Sequence, residues 1–413
     1  MNSSSQLYSQ YTLPSGTTLP NRIVKAAMEE NLSNPNLEPD EALWNLYETW
    51  AQGGVGTMIT GNVMVDHRAM TGPGGVVLEE GTSLDGFRMW SSKAKQTGGK
   101  IIMQINHPGR QVLAKLGGNV WAPSAVPVDI GKLSKLLGKP RAMTESEIFE
   151  TIQRFAKTSQ LAEESGFDGV EIHAAHGYLI SQFLSPIANQ RTDEWGGSLE
   201  NRSRFLIEVI KSVRKMVKPN FIVAVKLNSA DFQKGGFQFQ DAKEVISNIQ
   251  TLGVDFIELS GGNYEAPAMQ GESRDGSTIS REAYFLEFAS EVAKTATVPI
   301  LVTGGIRRKQ IAESVLDSGV PLVGIATALA LEPNLPNDWK KNQELESRLP
   351  DPNWKSKTLK GLANMAMVRY QINRLSENKR PKTNISPIVR LVMDQIRLSR
   401  LTKRYQKWIC NHS

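Results

Sequence analysis

The sequence is almost free of cysteine and poor in histidine. Of its 413 residues, one is cysteine, Cys410, and five are histidine. A single cysteine excludes an intramolecular disulfide. It also excludes a zinc site of the cysteine and histidine type, which needs several ligands of those kinds. We therefore expect no structural metal.

Long hydrophobic runs are also missing. No stretch approaches 18 apolar residues, and residues 1–10 are polar, without the basic and then apolar pattern of a signal peptide. These features predict a cytoplasmic protein. A hydrophobic content of 40% supports a substantial core, and the length fits one large α/β barrel with an appendage.

Positive charge is concentrated at one end of the chain. The total is +6, but residues 353–413 hold fourteen Lys/Arg against two Asp/Glu, a charge of +12 that leaves −6 for the remainder. A mildly acidic body predicts no nucleic-acid partner. The basic tail is compatible with two interpretations: an amphipathic helix on an anionic membrane, or a solvated helix packed across the body or against a second copy.

Apolar strand-like runs alternate with amphipathic helical segments through most of the chain. Eight such strands, each followed by a helix or helix-like segment, favour a (β/α)8 TIM barrel over a doubly wound sheet. The predicted domains are a barrel over residues 1–345 and a basic helical extension over residues 346–413. Residues 107–142 form an excursion long enough for a lid or binding loop. Helices are predicted over residues 40–50, 84–96, 144–165, 203–217, 240–252 and 281–295.

Polar residues and glycines recur where the predicted strands end. Because the C-terminal ends of barrel strands face one mouth, we expect these residues to share a pocket. They are Glu29, Gly61, Gln104, His107, His173, His176, Lys226, Gly304 and Thr327.

The densest cluster follows the fourth strand, where His173, His176 and Tyr178 occur within six residues. A His-x-x-His pair alone fits a metal fragment or two hydrogen-bonded structural histidines. Neutral histidines above strands are also suited to donating hydrogen bonds to an oxygen, as in an anion-stabilising pocket.

Three further positions indicate cofactor binding. Lys226, facing a barrel interior, needs an anionic partner; it would stabilise an anionic cofactor ring, form a Schiff base, or pair with Glu29 or Glu258. Gln104 suits either a flat heterocycle or a neighbouring loop. Gly304-Gly305 suits a backbone cradle for a phosphate, which barrels commonly bind after strands seven and eight.

At these residues the chain resembles the old yellow enzyme family, the flavin-dependent ene-reductases and NADH:flavin oxidoreductases. The resemblance covers residues 11–333 and rests on Asn21-Arg-Ile, Gln104-Ile-Asn-His-Pro-Gly-Arg110, Ala122-Pro-Ser and, above all, residues 173–205. It is closer to the single-domain branch, because no cysteine cluster follows the barrel. It implies FMN, reduced by NADH or NADPH, with an activated alkene as the acceptor in a ping-pong cycle.

The resemblance also implies roles for individual residues. His173 and His176 would bind the substrate oxygen, and Tyr178 would deliver a proton. The flavin ring would lie against Ala26, Ala27, Met28, Glu29, Gly61, Gln104 and Lys226, and its phosphate against Gly304, Gly305, Ala326 and Thr327.

Three positions depart from the family pattern. Glu29 stands where threonine or cysteine is common, Lys226 replaces a frequent arginine, and Thr327 replaces the usual phosphate-binding arginine. A carboxylate at Glu29 would disfavour an anionic reduced flavin unless a cation such as Lys226 neutralised it. Two competing hypotheses remain at this point: a Schiff-base lyase that uses Lys226, and a non-catalytic flavin-binding protein.

Overall fold

The computed structural model describes residues 5–266, 285–343 and 348–412. Its centre is a ring of eight parallel strands, β1 to β8: Ile23–Lys25, Thr57–Ile59, Lys100–Asn106, Gly169–Ala174, Ile222–Asn228, Phe256–Ser260, Ile300–Thr303 and Leu322–Ile325. Each strand pairs with the next along the chain, and β8 pairs with β1 to close the ring. The predicted (β/α)8 barrel is confirmed.

Helices surround the barrel and extend beyond it. In chain order they are α1 Glu41–Gln52, α2 Asp85–Ala94, α3 Glu145–Glu164, α4 Leu179–Leu184, α5 Leu199–Met216, α6 Phe239–Ile249, α7 Leu286–Ala293, α8 Lys309–Asp317, α9 Thr327–Leu331, α10 Leu335–Lys340, α11 Lys357–Ser376 and α12 Pro387–Asn411. Asp40 caps α1, and a capping box of Thr144 and Glu147 opens α3. Helix α5 begins before the predicted residue 203, because Ser198 caps it. The first part of the predicted helix 281–295 lies outside the described residues.

Short strands accompany the ring. Tyr11–Thr12 and Thr18–Leu19 form an antiparallel hairpin, and its Leu13 and Leu19 join the apolar cluster that fills the lower barrel. The remaining short pairs, both parallel, are Val63–Met64 with Val76–Val77 and Trp121–Ala122 with Arg141–Ala142.

Period-two alternation explains the polarity of the barrel interior. Ile102, Ala224 and Phe256 belong to the apolar cluster inside the ring. Side chains two residues further along a strand point to the same face, so the next inward positions are Gln104, Lys226 and Glu258, in that order. The barrel is therefore apolar below and polar just beneath its C-terminal mouth.

The excursion after β3 lies against the mouth and is held there by Arg110. This guanidinium, 5% exposed, donates to the carbonyls of Val126 and Pro127 and forms an ion pair with Glu265 at 2.7 Å. Glu265 follows β6, so Arg110 joins two loops that border the same opening. The lid or binding role of residues 107–142 stays a prediction.

Helices α11 and α12 form the C-terminal extension and pack together across the barrel. Helix α12 is fixed to loops at the mouth: Arg397 donates to the carbonyl of Asn31, Arg404 to that of Ser33, and Tyr405 to that of His67. Two of the basic residues of the tail thus bind the barrel. Within the described ranges, no helix has the length and apolarity needed to cross a bilayer.

Part of α12 nevertheless faces outward. Ile388, Val392 and Ile396 are exposed, at 61%, 53% and 42%, and Arg400 and Lys403 are exposed further along the helix. Membrane contact and self-association through this helix stay predictions.

Candidate active site

The cluster after β4 owes its shape to two left-handed residues. His176 has φ 60° and Gly177 has φ 73°, so the chain turns sharply between β4 and α4. The N–H of His176 donates to Asn228 Oδ1 at the end of β5, at 3.1 Å. As a result the ring of His173 contacts both His176, at a centroid distance of 5.0 Å, and Tyr178, at 4.9 Å. The three predicted catalytic residues are therefore brought together.

Both histidines of this cluster are held neutral. Burial, helped by the charge of Lys226, lowers the pKa of His176 to about 3, and burial lowers the pKa of His173 well below its usual range. His173 Nδ1 accepts from the N–H of Ala175 at 3.3 Å. A neutral ring that accepts at Nδ1 carries its proton on Nε2, so His173 Nε2 is a hydrogen-bond donor.

Tyr178 has a phenol partner that the sequence did not predict. Its hydroxyl lies 3.2 Å from that of Tyr264, which follows β6. Burial raises the pKa of Tyr178 well above its usual range, and burial together with Glu29 raises the pKa of Tyr264 to about 12. Both phenols are therefore protonated at neutral pH. Tyr264 lies in a predicted loop with no strand or motif to mark it, so sequence reasoning had no signal for it.

A polar layer lies below the cluster, inside the barrel. Gln104 Nε2 donates to Glu171 Oε2 at 2.6 Å, and Lys226 Nζ donates to Glu258 Oε1 at 2.7 Å. Thr303 Oγ1 donates to the same Glu258 oxygen at 2.7 Å. Of the partners considered for Lys226, the structure selects Glu258, so this lysine does not neutralise Glu29.

A second buried network fixes the segment after β1. Glu30 accepts from Tyr47 at 2.6 Å and from the N–H of Gly61 at 3.1 Å, and Lys25 donates to Tyr47 at 3.2 Å. A Cβ on Gly61 would lie 1.9 Å from Glu30 Oε2, which explains the glycine. Because the N–H of Gly61 is used inside the protein, this residue offers a flavin only close contact. Lys25, Glu30 and Tyr47 were missed from the sequence.

The remaining predicted flavin positions follow β1. Ala26 is buried, and its N–H donates to the carbonyl of Ile325. Ala27 and Met28 are half-buried, whereas Glu29 is exposed. Ala27 and Met28 thus lie between the packed strand and solvent, and Glu29 marks the rim of the mouth.

The predicted phosphate positions gather where β7 and β8 end. Gly305 and Thr327 are exposed, and Gly304 and Ala326 are half-buried. Gly304 has φ 150° and Gly305 has φ 70°. Helix α9 begins at Thr327 without a side-chain cap, so its first N–H groups are not used by a capping side chain. Two accessible glycines beside an uncapped helix start suit an anion such as a phosphate.

The C-terminal extension adds a cation to the mouth. Arg369 of α11 forms a two-point ion pair with Asp394 of α12, at 2.9 and 2.5 Å. Burial alone would lower the pKa of Arg369, but Asp394 and, to a smaller degree, Glu29 and Tyr264 raise it. Arg369 therefore interacts electrostatically with Glu29, whereas Lys226 is paired with Glu258.

The one group of three candidate metal ligands among the described residues lies elsewhere. Asp66, His67 and Glu79 cluster beside the short strands after β2. Their carboxylates are already paired, Asp66 with Arg68 at 2.8 Å and Glu79 with Arg154 at 3.1 Å. Neither His173 nor His176 belongs to this group.

The barrel and its mouth define a class of protein, the flavin-dependent oxidoreductases. The residues present fit FMN: accessible glycines and an uncapped helix start lie at the ends of β7 and β8, and the amide of Gln104 and the ammonium of Lys226 lie inside the barrel. Residues 7–346 match the model of the NADH:flavin oxidoreductase / NADH oxidase family, and the chain belongs to this family, which contains the old yellow enzymes. It is an NADH-dependent flavin oxidoreductase with FMN as its cofactor.

Three relatives illustrate the similarity. The NADH-dependent flavin oxidoreductase iliE of Hypocrea jecorina is 39% identical over 357 residues, which are 81% of this chain and 89% of that protein. The solved structure of 2-naphthoyl-CoA reductase with 2-naphthoyl-CoA is 26% identical, with a TM-score of 0.75, and the match covers 82% of this chain and 52% of the other. The old yellow enzyme homologue of Zymomonas mobilis has a TM-score of 0.70 at 23% identity and covers 83% and 95%; it supports the fold alone.

Proposed function

We propose that the enzyme reduces an activated alkene, such as an α,β-unsaturated carbonyl, in a ping-pong cycle with NADH as the hydride source. FMN, when bound, supplies the acceptance and transfer of hydride. The observation that carries the proposal is a cluster of two neutral imidazoles and a protonated phenol, in which the ring of His173 contacts the rings of both His176 and Tyr178. Hydride addition to an enone needs a donor at the oxygen and an acid at the α-carbon, and this cluster offers both.

His173 and His176 polarise the acceptor oxygen in this proposal. His176 Nε2 lies 2.8 Å from Ser260 Oγ, so His176 donates through Nδ1, with Nε2 as the acceptor of the serine hydroxyl. Neutral imidazoles donate through N–H and do not lose their proton to the developing enolate, whereas imidazolium would be a strong acid. In His173 the N–H that is available to donate is at Nε2, because Nδ1 accepts from the N–H of Ala175. One well-placed donor of this kind contributes about 3 kcal/mol to transition-state stabilisation.

Tyr178 delivers the proton. The pKa of its phenol lies above the usual range, so the group is protonated whenever an acceptor arrives. Its hydroxyl lies 3.2 Å from that of Tyr264, and when Tyr264 donates in this hydrogen bond, the O–H of Tyr178 is left to point to the acceptor. Protonation of the α-carbon completes the reduction of the double bond.

The cofactor positions follow from the same proposal. Ala26, Ala27, Met28, Glu29 and Gly61 would contact the flavin ring from the side of β1 and β2, and Gln104 and Lys226 would contact it from inside the barrel. Gly304, Gly305, Ala326 and Thr327 would hold the phosphate. A likeness to 2-naphthoyl-CoA reductase supports a conjugated acyl acceptor, because the thioester carbonyl of 2-naphthoyl-CoA is conjugated with its ring.

The Schiff-base alternative is disfavoured by the state of Lys226. A nucleophilic lysine must lose its proton. Burial alone would lower the pKa of Lys226, but the carboxylate of Glu258, which accepts a hydrogen bond from Lys226 Nζ at 2.7 Å, raises it overall. The ammonium is therefore stabilised, and Lys226 serves as a fixed charge.

Two half-reactions measured separately test the proposal. Under anaerobic conditions NADH should bleach the flavin absorbance, and cyclohexenone or a cinnamoyl thioester should restore it with formation of the saturated product. A saturated ketone is the matched control and should leave the flavin reduced. Bleaching by NADH without recovery by any conjugated acceptor would exclude alkene reduction while leaving NADH oxidation intact.

A further inference from the structure

Two buried carboxyl groups face each other beneath the mouth. Glu171 of β4 and Glu258 of β6 are both 0% exposed. In a TIM barrel the inward side chains of alternate strands share a layer, and the intervening strand β5 places the small Ala224 opposite Glu171. On the same strand Lys226 lies opposite Glu258, so the two glutamates flank β5, whose inward side chain beside Glu171 is small.

One oxygen of each group lacks a donor. Glu171 Oε1 and Glu258 Oε2 are buried and have no hydrogen-bond donor among the described residues, although the two side chains interact with each other. The other oxygen of each group accepts hydrogen bonds: Glu171 Oε2 accepts from Gln104, and Glu258 Oε1 accepts from Lys226 and Thr303. Two facing carboxylate oxygens repel, but a proton placed between them makes a hydrogen bond.

The charge balance requires the same proton. Lys226 offsets one carboxylate, and a second would leave an uncompensated charge in the barrel, at a large desolvation cost. The other nearby cation, Lys25, is paired with Glu30 at 3.7 Å, and His173 and His176 are neutral. One proton on the pair makes the whole layer neutral.

We propose that Glu171 is a carboxylic acid at neutral pH, with its proton on Oε1 directed to Glu258 Oε2, and that this acid is a positioning residue for Gln104. Glu171 is the protonated partner because Glu258 has two donors, one of them charged, whereas Glu171 has a single amide donor. Burial and the charge of Glu258 also raise the pKa of Glu171 well above its usual range. The carbonyl oxygen of the acid fixes the Gln104 amide with its NH2 inward, so its oxygen is the acceptor offered to the flavin.

Infrared spectroscopy of the flavin-free protein tests the protonation directly. We expect the C=O stretch of a buried carboxylic acid at pH 7. This band should not change when the pH of the solution is varied around neutrality, and it should disappear in Glu171→Gln. Absence of this band from the wild-type protein, or its persistence in Glu171→Gln, would overturn the proposal. This measurement uses no acceptor and no cofactor, so it is independent of the proposed alkene reduction.

Flavin binding tests the positioning role, and this arm rests on the proposed placement of FMN. In Glu171→Gln the new amide donates to Glu258 and accepts from Gln104, so we expect FMN affinity and midpoint potential close to wild type. Glu171→Ala releases Gln104 and should weaken FMN binding by about tenfold, the equivalent of one hydrogen bond. If Glu171 were ionised, Glu171→Gln would instead raise the midpoint potential by removing a negative charge, and that shift would refute the neutral acid.

Discussion

Replacing Tyr178 by phenylalanine separates proton delivery from hydride chemistry. The ring of Tyr178 contacts His173 at 4.9 Å and is 8% exposed, and phenylalanine preserves that packing. Only the hydroxyl and its hydrogen bond to Tyr264 are lost. A general acid contributes at least about 100-fold to a rate, or about 2.7 kcal/mol of barrier. We therefore expect reoxidation of the reduced enzyme by an enone to slow by about 100-fold or more.

Reduction of the flavin by NADH should be almost unchanged in the same variant, because that step needs no proton from Tyr178. Stopped-flow absorbance of the flavin measures both half-reactions in one preparation. Equal slowing of the two would refute the assignment of Tyr178 as the acid and point to a general disturbance of the pocket.

Tyr264 supplies the control. Its hydroxyl lies 3.2 Å from that of Tyr178, so in Tyr178→Phe it is the nearest remaining phenol. Tyr264→Phe removes only the orienting hydrogen bond, worth about 1 kcal/mol, and should slow reoxidation by about fivefold. If residual activity in Tyr178→Phe depends on Tyr264, the double variant will be slower than either single variant.

Three other predictions address the surroundings of the site. Gly61→Ala places a methyl group 1.9 Å from Glu30 Oε2. We therefore expect the free energy of unfolding in urea to fall by about 1–3 kcal/mol and FMN binding, measured by fluorescence titration, to weaken. Normal FMN affinity would show that Gly61 is not part of the site. Burial lowers the pKa of His107 to about 4, so the unfolded chain takes up a proton first as pH falls. The free energy of unfolding should therefore drop by about 2 kcal/mol between pH 6.5 and 5. His107→Gln should make this dependence on pH less steep, and an unchanged pH dependence would contradict the prediction. Arg369→Met leaves the buried carboxylate of Asp394, which is 5% exposed, without its cation. This should lower the free energy of unfolding by about 3 kcal/mol or more, and adding Asp394→Leu should recover most of the loss. Purely additive losses would show that the two side chains do not act as a pair.

The sequence was sufficient for the fold because local and global signals agree in the barrel. Apolar strands with inward alternation, Asp40 and the Thr144 capping box all mark elements that the structure contains. The predicted start of α5 at residue 203 was too late, because Ser198 caps the helix and α5 begins at Leu199. The catalytic cluster was also predictable, because His173, His176 and Tyr178 are local in sequence and a single turn brings them together.

The partners of these residues were not predictable, because they come from distant strands. Glu171 lies within the apolar fourth strand, and only barrel closure places it beside Gln104 and across β5 from Glu258. Tyr264 reaches Tyr178 from 86 residues away. Pairing of Lys226 depended on the register of β5 with β6, which sets Lys226 opposite Glu258. Such long-range choices follow from sheet geometry, which a strand pattern alone does not contain.

The C-terminal extension gives the exposed Glu29 a physical context. Burial raises the pKa of both Tyr178 and Tyr264, and the carboxylate of Glu29 adds to that rise. The same carboxylate would oppose negative charge on a reduced flavin. Lys226 is committed to Glu258, so it cannot offset Glu29. Arg369 partly offsets the effect of Glu29 on the pKa of Tyr264, which stays raised. It lies beyond residue 346, where the family match ends. The charges that surround Glu29 therefore include a residue of the C-terminal extension, Arg369.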